Sequence, residues 1–482
     1  MRIFLFLALL TTSSFSQQQS DFYIREEIPL PPGEVMEIGS IALMPEEKVA
    51  VTTRRGDLWI CSGAYGDDLS KVTWKKFAYG LHEPLGMHYQ DGSFLLTQRP
   101  EYSRISDRDG DGAADFFETI SSGWGINGNY HEYAFGTPPD KNGDVWVVLC
   151  LTGSSKASSD SPWRGWAVRI TPDGKMIPTC SGIRSPGGIG FNPEGDVFYT
   201  DNQGPWNGSS SLKWLKPGSF QGAPVGNRFH ALANLPAPPE PTNKSRILTE
   251  RLKFPEFIPP AVVFPHAKVG QSPTAIEADL SGGKFGPFSG QLYIGEQTHS
   301  QVQRVFLEKV NGLYQGAVFH FLDGFRSGII PAKLDQAKGI LFAGGSNRGW
   351  ASRGGKAFTF ERVKWSGRTP FEMLTMSANP DGFTITFTEP VDAASAANPA
   401  SYTMKAWTYI HQSSYGSPEV DASVPTVKSA TVSPDRKSVR LVIDGLVRGH
   451  VHHLQAPGVK SASGQVLWHP EAFYTLNEIP SK

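Results

Sequence analysis

Six times the chain returns to one phrase: a turn rich in Pro, Asp or Gly, then an apolar strand, then a small polar cluster. It reads MPEEKVAVTTRRGDLWI from Met44, YQDGSFLLTQRP from Tyr89 and GTPPDKNGDVWVVL from Gly136. It returns as FNPEGDVFYTDNQGP from Phe191, SGQLYIGEQTHSQVQRV from Ser289 and AKGILFAGGSNRGW from Ala337. Short strands repeating every roughly 40–50 residues indicate a propeller or another repeat array. A propeller gathers strand-end loops at one end of a central channel, so residues far apart in sequence can build one site. An all-β chain with a six-bladed β-propeller is the simplest arrangement. Five, seven or eight blades stay open, because divergent blades hide easily.

The 51 glycines and 37 prolines, beside 39% hydrophobic and 11% aromatic residues, suit many tight turns between buried strands better than disorder. The 45 basic and 46 acidic side chains leave a formal charge of -1, which gives no pull toward nucleic acid or anionic membrane. Residues 1–16 (MRIFLFLALLTTSSFS) have a basic start, a short apolar run and small residues before Gln17. This is the pattern of a secretory signal peptide, and no later stretch is apolar enough to span a membrane. The mature protein is expected to be exported, periplasmic or extracellular. The odd count of Cys61, Cys150 and Cys180 leaves at least one thiol unpaired, and Cys150 in VWVVLCL reads as buried and structural.

Residues 17–35 are polar and Pro-rich and read as a lead-in arm; residues 36–367 carry the blades. The proline-dense stretch from Pro236 to Pro260 interrupts them as a surface insertion. In residues 368–482 the texture changes to alternating segments such as GFTITFTEPVD (Gly382 to Asp392). A separate immunoglobulin-like β-sandwich fits there, resembling modules appended to many bacterial secreted proteins, with a structural or adhesive role.

DRDGDGAADFFE is the sharpest local motif. Asp107, Asp109, Asp111, Asp115 and Glu118 fall at loop positions 1, 3, 5, 9 and 12, with Gly112 at the sharp turn. That spacing curls hard oxygens around one point, as Ca²⁺ requires. A strand rather than a helix leads in, so the expectation is a calcium-stiffened loop and not an EF-hand. His131, just before a strand in NGNYHEYAFG, is placed at a loop mouth where an imidazole can take a hydroxyl proton. Arg184 precedes a Gly-rich turn, and its planar fork suits carboxylates. Asn202 and Gln203 end the following strand. His266, Lys268, Gln297, His299, Arg348 and Arg353 lie in later loops that would ring the channel mouth with cations and amides, a home for an acidic, planar ligand.

These residues together resemble the glucose/sorbosone dehydrogenase superfamily of β-propellers, the pyrroloquinoline quinone (PQQ)-dependent sugar dehydrogenases. The chain looks closest to propeller modules of large secreted proteins of planctomycetes and verrucomicrobia described as membrane-bound dehydrogenases. The carriers are DRDGDGAAD, YHEYAFGTPPDKNGDVWVV, IRSPGGIGFNPEGDVFYTDNQGPW, GQSPTAIEAD and GWASRGGKAF, spanning Met36 to Trp365. The resemblance implies His131 as general base toward a sugar hydroxyl and Arg184 as a contact to quinone and substrate. It matches Gly204 and Pro205 to a calcium-site element, and Lys268, Arg348 and Arg353 loosely to late quinone contacts. The chain departs from the pattern in three places. The family's Arg-Asn pair reads Arg184-Ser185, the acidic residue expected after Pro205 is replaced by NGSSS, and Thr152-Gly153 stand where the His-orienting Asp belongs, with Asp160 a distant substitute.

The expected function is therefore an exported, calcium-binding propeller that oxidises a small sugar with PQQ and passes electrons to a separate acceptor, a cytochrome or quinone. Two alternatives stand beside it: a non-catalytic carbohydrate- or protein-binding propeller, and a metal-dependent lactonase drawing on Asp201 and Asn202.

Overall fold

The recurring phrase is a hairpin with its own chemistry. In PPDKNGDVW, Asp140 accepts the backbone N–H of Asp144 (3.1 Å) and Gly143 takes φ +83°. In FNPEGDVF, Asn192 accepts the N–H of Asp196 (2.8 Å) and Gly195 again takes φ +83°. A short polar side chain opens each turn, and a glycine in the left-handed region closes it, so both sequences make the same bend.

The computed structural model describes residues 17–347 and 351–481; residues 1–16, with the leader expectation, and Arg348 lie outside the described residues. The chain forms a six-bladed β-propeller followed by a β-sandwich. Blade 1 is Ile38–Met44, Lys48–Thr53, Leu58–Ser62 and Thr73–Ala78, counted from the axis outward, and blade 2 is Gly86–Gln90, Ser93–Thr97, Tyr102–Ser106 and Phe116–Ser121. Blade 3 is Ala134–Gly136, Val145–Leu149, Trp166–Ile170 and Met176–Ser181, and blade 4 is Pro186–Phe191, Val197–Asp201, Ser210–Trp214 and Val262–Phe264. Blade 5 is Pro273–Ala278, Leu292–Glu296, Gln301–Val310 and Leu313–Leu322. The six innermost strands follow one another around the axis. Glycine lets them meet: a Cβ on Gly86 would lie 2.6 Å from the Gly136 carbonyl oxygen, and one on Gly187 2.2 Å from that of Pro273.

Blade 6 closes the ring across the whole propeller. Its inner strands are Ala332–Asp335, Ile340–Ser346 and Phe358–Trp365; its outer strand is Tyr23–Glu27, running antiparallel from Tyr23 opposite Trp365 to Glu27 opposite Glu361. Within the segment 17–35, read as a lead-in arm, Tyr23–Glu27 is thus a strand of blade 6. Buried Phe22 and Tyr23 seat it, and fully buried Arg362 pairs with Glu26 (2.9 Å) while donating to carbonyls of Ala64 and Gly66 in blade 1.

The sandwich is fused to blade 5. One of its sheets is Met373–Asn379, Gly382–Phe387, Ser438–Asp444 and Thr426–Val432. The other is Glu471–Leu476, His450–Gln455, Thr403–Tyr409 and Glu419–Ser423, and its first strand pairs with the outer strand of blade 5 through Gly316–Thr475, Ala317–Tyr474 and Val318–Phe473. Blade and sandwich sheet form one eight-stranded sheet, and Ala317 and Phe319 of the blade enter the sandwich core. The proline-dense insertion is not a free surface loop. It carries the helix Ile247–Lys253, and Ser245 exchanges two backbone hydrogen bonds with His411 of the sandwich (3.0 and 3.1 Å).

Candidate functional site

Each blade sends two kinds of loop to one end of the propeller: the loop before its innermost strand and the loop between its second and third strands. Gly39, Leu85, Phe135, Gly187 and Ile330 line two cavities, one toward each end of the channel. The cavity at the hairpin end, about 450 Å³, is lined mainly by backbone and apolar side chains of the inner strands. The cavity at the loop end, about 220 Å³, gathers the polar groups, among them Glu37, Arg54, Glu83, His131, Arg184 and Asn202.

His131 reaches this cavity. Its imidazole makes no hydrogen bond among the described residues; it stands edge-on to Tyr130 (5.3 Å between centroids). Partial burial, with the nearby Arg184 and Arg99 cations, holds its pKa below the ordinary imidazole value. The neutral, proton-accepting form therefore dominates near pH 7. Among the described residues no carboxylate orients it. Asp160 is exposed, and Thr152 donates instead to Glu132 (2.9 Å). Glu132 is fully buried and also accepts from Ser161 (2.7 Å) and the N–H of Asn127 (2.7 Å). Burial pushes its pKa up, but these bonds and Arg164 outweigh that and hold it below the usual carboxylate value.

Arg184 is 3% exposed, and its hydrogen bonds all go to neutral carbonyl oxygens: Ser154 (3.2 and 3.0 Å), Asn202 (3.0 Å) and Gln203 (2.6 Å). No carboxylate pairs with it among the described residues. Its fork thus ties blade 3 to blade 4, yet its charge is left uncompensated in the cavity wall. A buried cation of this kind favours an anion beside it. Asn202 and Gln203 line the cavity, and Asn202 Oδ1 is buried without a partner. Gln297 also lines it.

Three expected ligand contacts are placed elsewhere. Lys268 is bound to Glu419 of the sandwich (2.6 and 2.7 Å) and lies over Trp407 (4.3 Å), because the sandwich docks on its loop. His299 is buried behind the cavity, where burial and then Arg353 lower its pKa to about 4. Arg353 is exposed and does not line the cavity. Asp201, with Asn202 a candidate for a lactonase centre, is fully buried and spent on Lys213 (2.9 Å) and the Tyr199 hydroxyl (3.1 Å).

The acidic loop lies at the opposite end of the propeller, on the outer rim, between the last two strands of blade 2. Asp107, Asp109 and Asp111 bring carboxylate oxygens within 4.8 Å of one another, the one such group of three among the described residues. Asp107 accepts from the N–H groups of Gly110 and Gly112 (2.7 Å each). Two expected ligands stand apart from that trio: Asp115 accepts the N–H of Arg108 (2.8 Å), and Glu118 sits in a strand opposite Arg104, to which it is paired (3.0 Å). The strand that begins at Phe116 carries Glu118 out of the loop.

The sequence reading missed a charged wall. Arg54 pairs with Glu83 (3.0 Å) and Glu37 (3.5 Å), and Arg99 pairs with Glu83 (2.8 Å). Both carboxylates are under 10% exposed. The available signal was positional: Glu37 and Glu83 stand just before Ile38-Gly39 and Leu85-Gly86, as His131 and Arg184 stand before Phe135-Gly136 and Pro186-Gly187.

Residues 67–312, just over half of the chain, match the family described as a domain of unknown function, DUF7133. The chain belongs to this family. In this DUF7133 protein the matched span takes in His131 and Arg184 but not Glu37, Arg54 or the sandwich. No curated protein matches the sequence. Among solved structures, an oxidoreductase (glucose dehydrogenase) from Thermus thermophilus is similar at 16% identity and TM-score 0.51, over 71% of this chain and 99% of that one. PQQ-bound aldose sugar dehydrogenase from Streptomyces coelicolor gives 15% and 0.48, over 71% and 98%. Apo soluble aldose sugar dehydrogenase from Escherichia coli gives 13% and 0.47, over 72% and 100%. The propeller shares the fold of the Thermus protein.

Proposed function

We propose that this DUF7133 protein is an exported sugar dehydrogenase that works with PQQ, with the loop-end cavity as its active site. The observation that carries the reading is Arg184, a buried cation without a counter-ion among the described residues, facing the same cavity as the His131 imidazole, which makes no hydrogen bond among them. That pair fits an anionic, planar quinone next to a base. The Thermus protein of the same fold carries the name glucose dehydrogenase, which points the same way. Export rests on the sequence of residues 1–16.

Bound PQQ supplies the two-electron acceptor for the sugar carbon, chemistry no side chain provides. Arg184 would hold an anionic edge of the cofactor, with Asn202, Gln203 and Gln297 as neutral contacts. His131 accepts the hydroxyl proton of the sugar, a contribution of roughly 10²–10⁴-fold. The Glu37–Arg54–Glu83–Arg99 wall presents fixed charges to sugar hydroxyls. Electrons leave to a separate acceptor, a cytochrome or a quinone.

The test is a PQQ titration of the folded protein followed by dye reduction over a panel of aldoses. Saturable binding and sugar-dependent reduction, both weakened in Arg184→Gln and the second lost in His131→Ala, is the expected result. Absence of PQQ binding by a folded protein would overturn it. That no carboxylate among the described residues backs His131 favours a second reading in that event, a carbohydrate-binding propeller without redox chemistry. We further propose that Asp107, Asp109 and Asp111 hold a structural Ca²⁺ at the rim.

A further inference from the structure

We propose that the C-terminal sandwich completes the ligand site, and that Tyr415 is the platform on which a carbohydrate ring stacks. The proposal rests on the reading of the loop-end cavity as a sugar site, and it names the residue that recognises the ring.

Tyr415 belongs to the sandwich, in the loop that follows Thr403–Tyr409, yet it lines the loop-end cavity of the propeller. The guanidinium of Arg184 backs its ring at 5.2 Å from the centroid. The residue remains 59% exposed, so the rest of the ring is open to the cavity. An exposed tyrosine on a mobile loop would say little, but this loop is clamped. Trp206 N–H donates to the Gln412 carbonyl (2.6 Å), Ser417 N–H to that of Gly208 (3.0 Å), and Ser413 N–H to Asn243 Oδ1 (2.9 Å). Tyr415 itself bridges to Pro205, and buried His411 packs between Trp206 (5.0 Å) and Phe257 (5.3 Å). These contacts fix the backbone of Tyr415 while leaving its ring unburied.

The chemistry of the cavity chooses the occupant. A pyranose has an apolar C–H face that packs on an aromatic ring and an equatorial belt of hydroxyls that seeks acceptors and donors. Tyr415 offers the first surface. Asn202 Oδ1, buried without a partner, offers an acceptor for an O–H, and the carboxylates of the charged wall lie across the cavity. A few placed polar groups around an aromatic surface are what orient a small ligand.

The experiment titrates D-glucose and cellobiose into the full-length mature protein, with and without PQQ, by calorimetry, for wild type, Tyr415→Ala and Tyr415→Phe. Tyr415→Ala is expected to weaken sugar binding about tenfold, the scale of one lost ring contact. Tyr415→Phe, which keeps the ring, is expected to stay within about twofold of wild type. PQQ affinity should change less than sugar affinity in Tyr415→Ala, since the ring only backs Arg184, and should match wild type in Tyr415→Phe. Sugar affinity unchanged in Tyr415→Ala, a loss confined to PQQ, or no binding of either sugar by wild type would overturn the proposal. Ring-dependent sugar binding without any PQQ binding would uphold it while removing the dehydrogenase reading.

Discussion

Arg184 occupies the space that a side chain on Gly204 would need: a Cβ there would lie 2.1 Å from the guanidinium carbon. The glycine two residues beyond Asn202 is therefore the seat of the cavity's one uncompensated cation among the described residues. Gly204→Ala should displace the guanidinium at a cost of about 1–3 kcal/mol, the usual range for overpacking. PQQ affinity should fall at least as far as in Arg184→Lys, which loses the planar fork. Melting curves and a PQQ titration on both variants check this; full affinity in Gly204→Ala would dissociate the cofactor from Arg184.

The pKa of His131 is lowered by burial and by two cations, so its basic form survives to lower pH than an ordinary imidazole. The acid limb of kcat/KM for sugar oxidation should accordingly lie below pH 6.5, the reference value. Removing one cation should move it back up. An NMR titration of the His131 ring in the cofactor-free protein, wild type against Arg184→Gln, reads this without turnover. A pKa that stays put in the variant would contradict the electrostatic account.

The blades were legible because their hairpins are built from local chemistry, as Asp140 with Gly143 and Asn192 with Gly195 show. His131 and Arg184 stand out for a related reason: each precedes an inner strand by two or three residues, Ala134–Gly136 and Pro186–Phe191, and both face the loop-end cavity. Glu37 and Glu83 also precede inner strands, but a lone acid beside an apolar strand carries no chemical signature until Arg54 and Arg99 arrive from other loops. The strand Tyr23–Glu27 pairs with residues more than 300 positions away, a partnership no local pattern encodes. Lys268 was misplaced for the converse reason. Its partner Glu419 lies in the sandwich, and sequence gave no hint that the sandwich descends onto the channel mouth.

His411 makes the seam between insertion and sandwich acid-sensitive. Burial lowers its pKa to about 4 from 6.5, and neither ring nitrogen has a hydrogen-bond partner. The unfolded chain takes up a proton between those values and the folded chain does not, so stability present above pH 6.5 is lost as pH falls toward 4. The loss is about 3 kcal/mol for a fully protonated unfolded state. His411→Phe should shrink the difference in denaturant midpoint between pH 7 and pH 4.5 relative to wild type. An unchanged difference would assign the acid sensitivity to other buried histidines.

The acidic loop should act on stability and leave the cavity alone. It clips blade 2 to the outer strand of blade 1: Lys75 donates to the Asp111 carbonyl (2.6 Å), and Ala114 N–H to that of Phe77 (2.7 Å). Ca²⁺ held by Asp107, Asp109 and Asp111 would stiffen that clip at the end of the propeller remote from His131. A ligand at a hundred times its Kd stabilises by about 2.7 kcal/mol, so calcium should raise Tm by a few degrees and chelation should reverse it. Asp107→Asn should abolish the calcium response, since both oxygens of Asp107 organise the turn. KM for sugar should not change. A calcium-dependent KM with no shift in Tm would place the functional cation in the cavity and leave the rim loop a solvated turn.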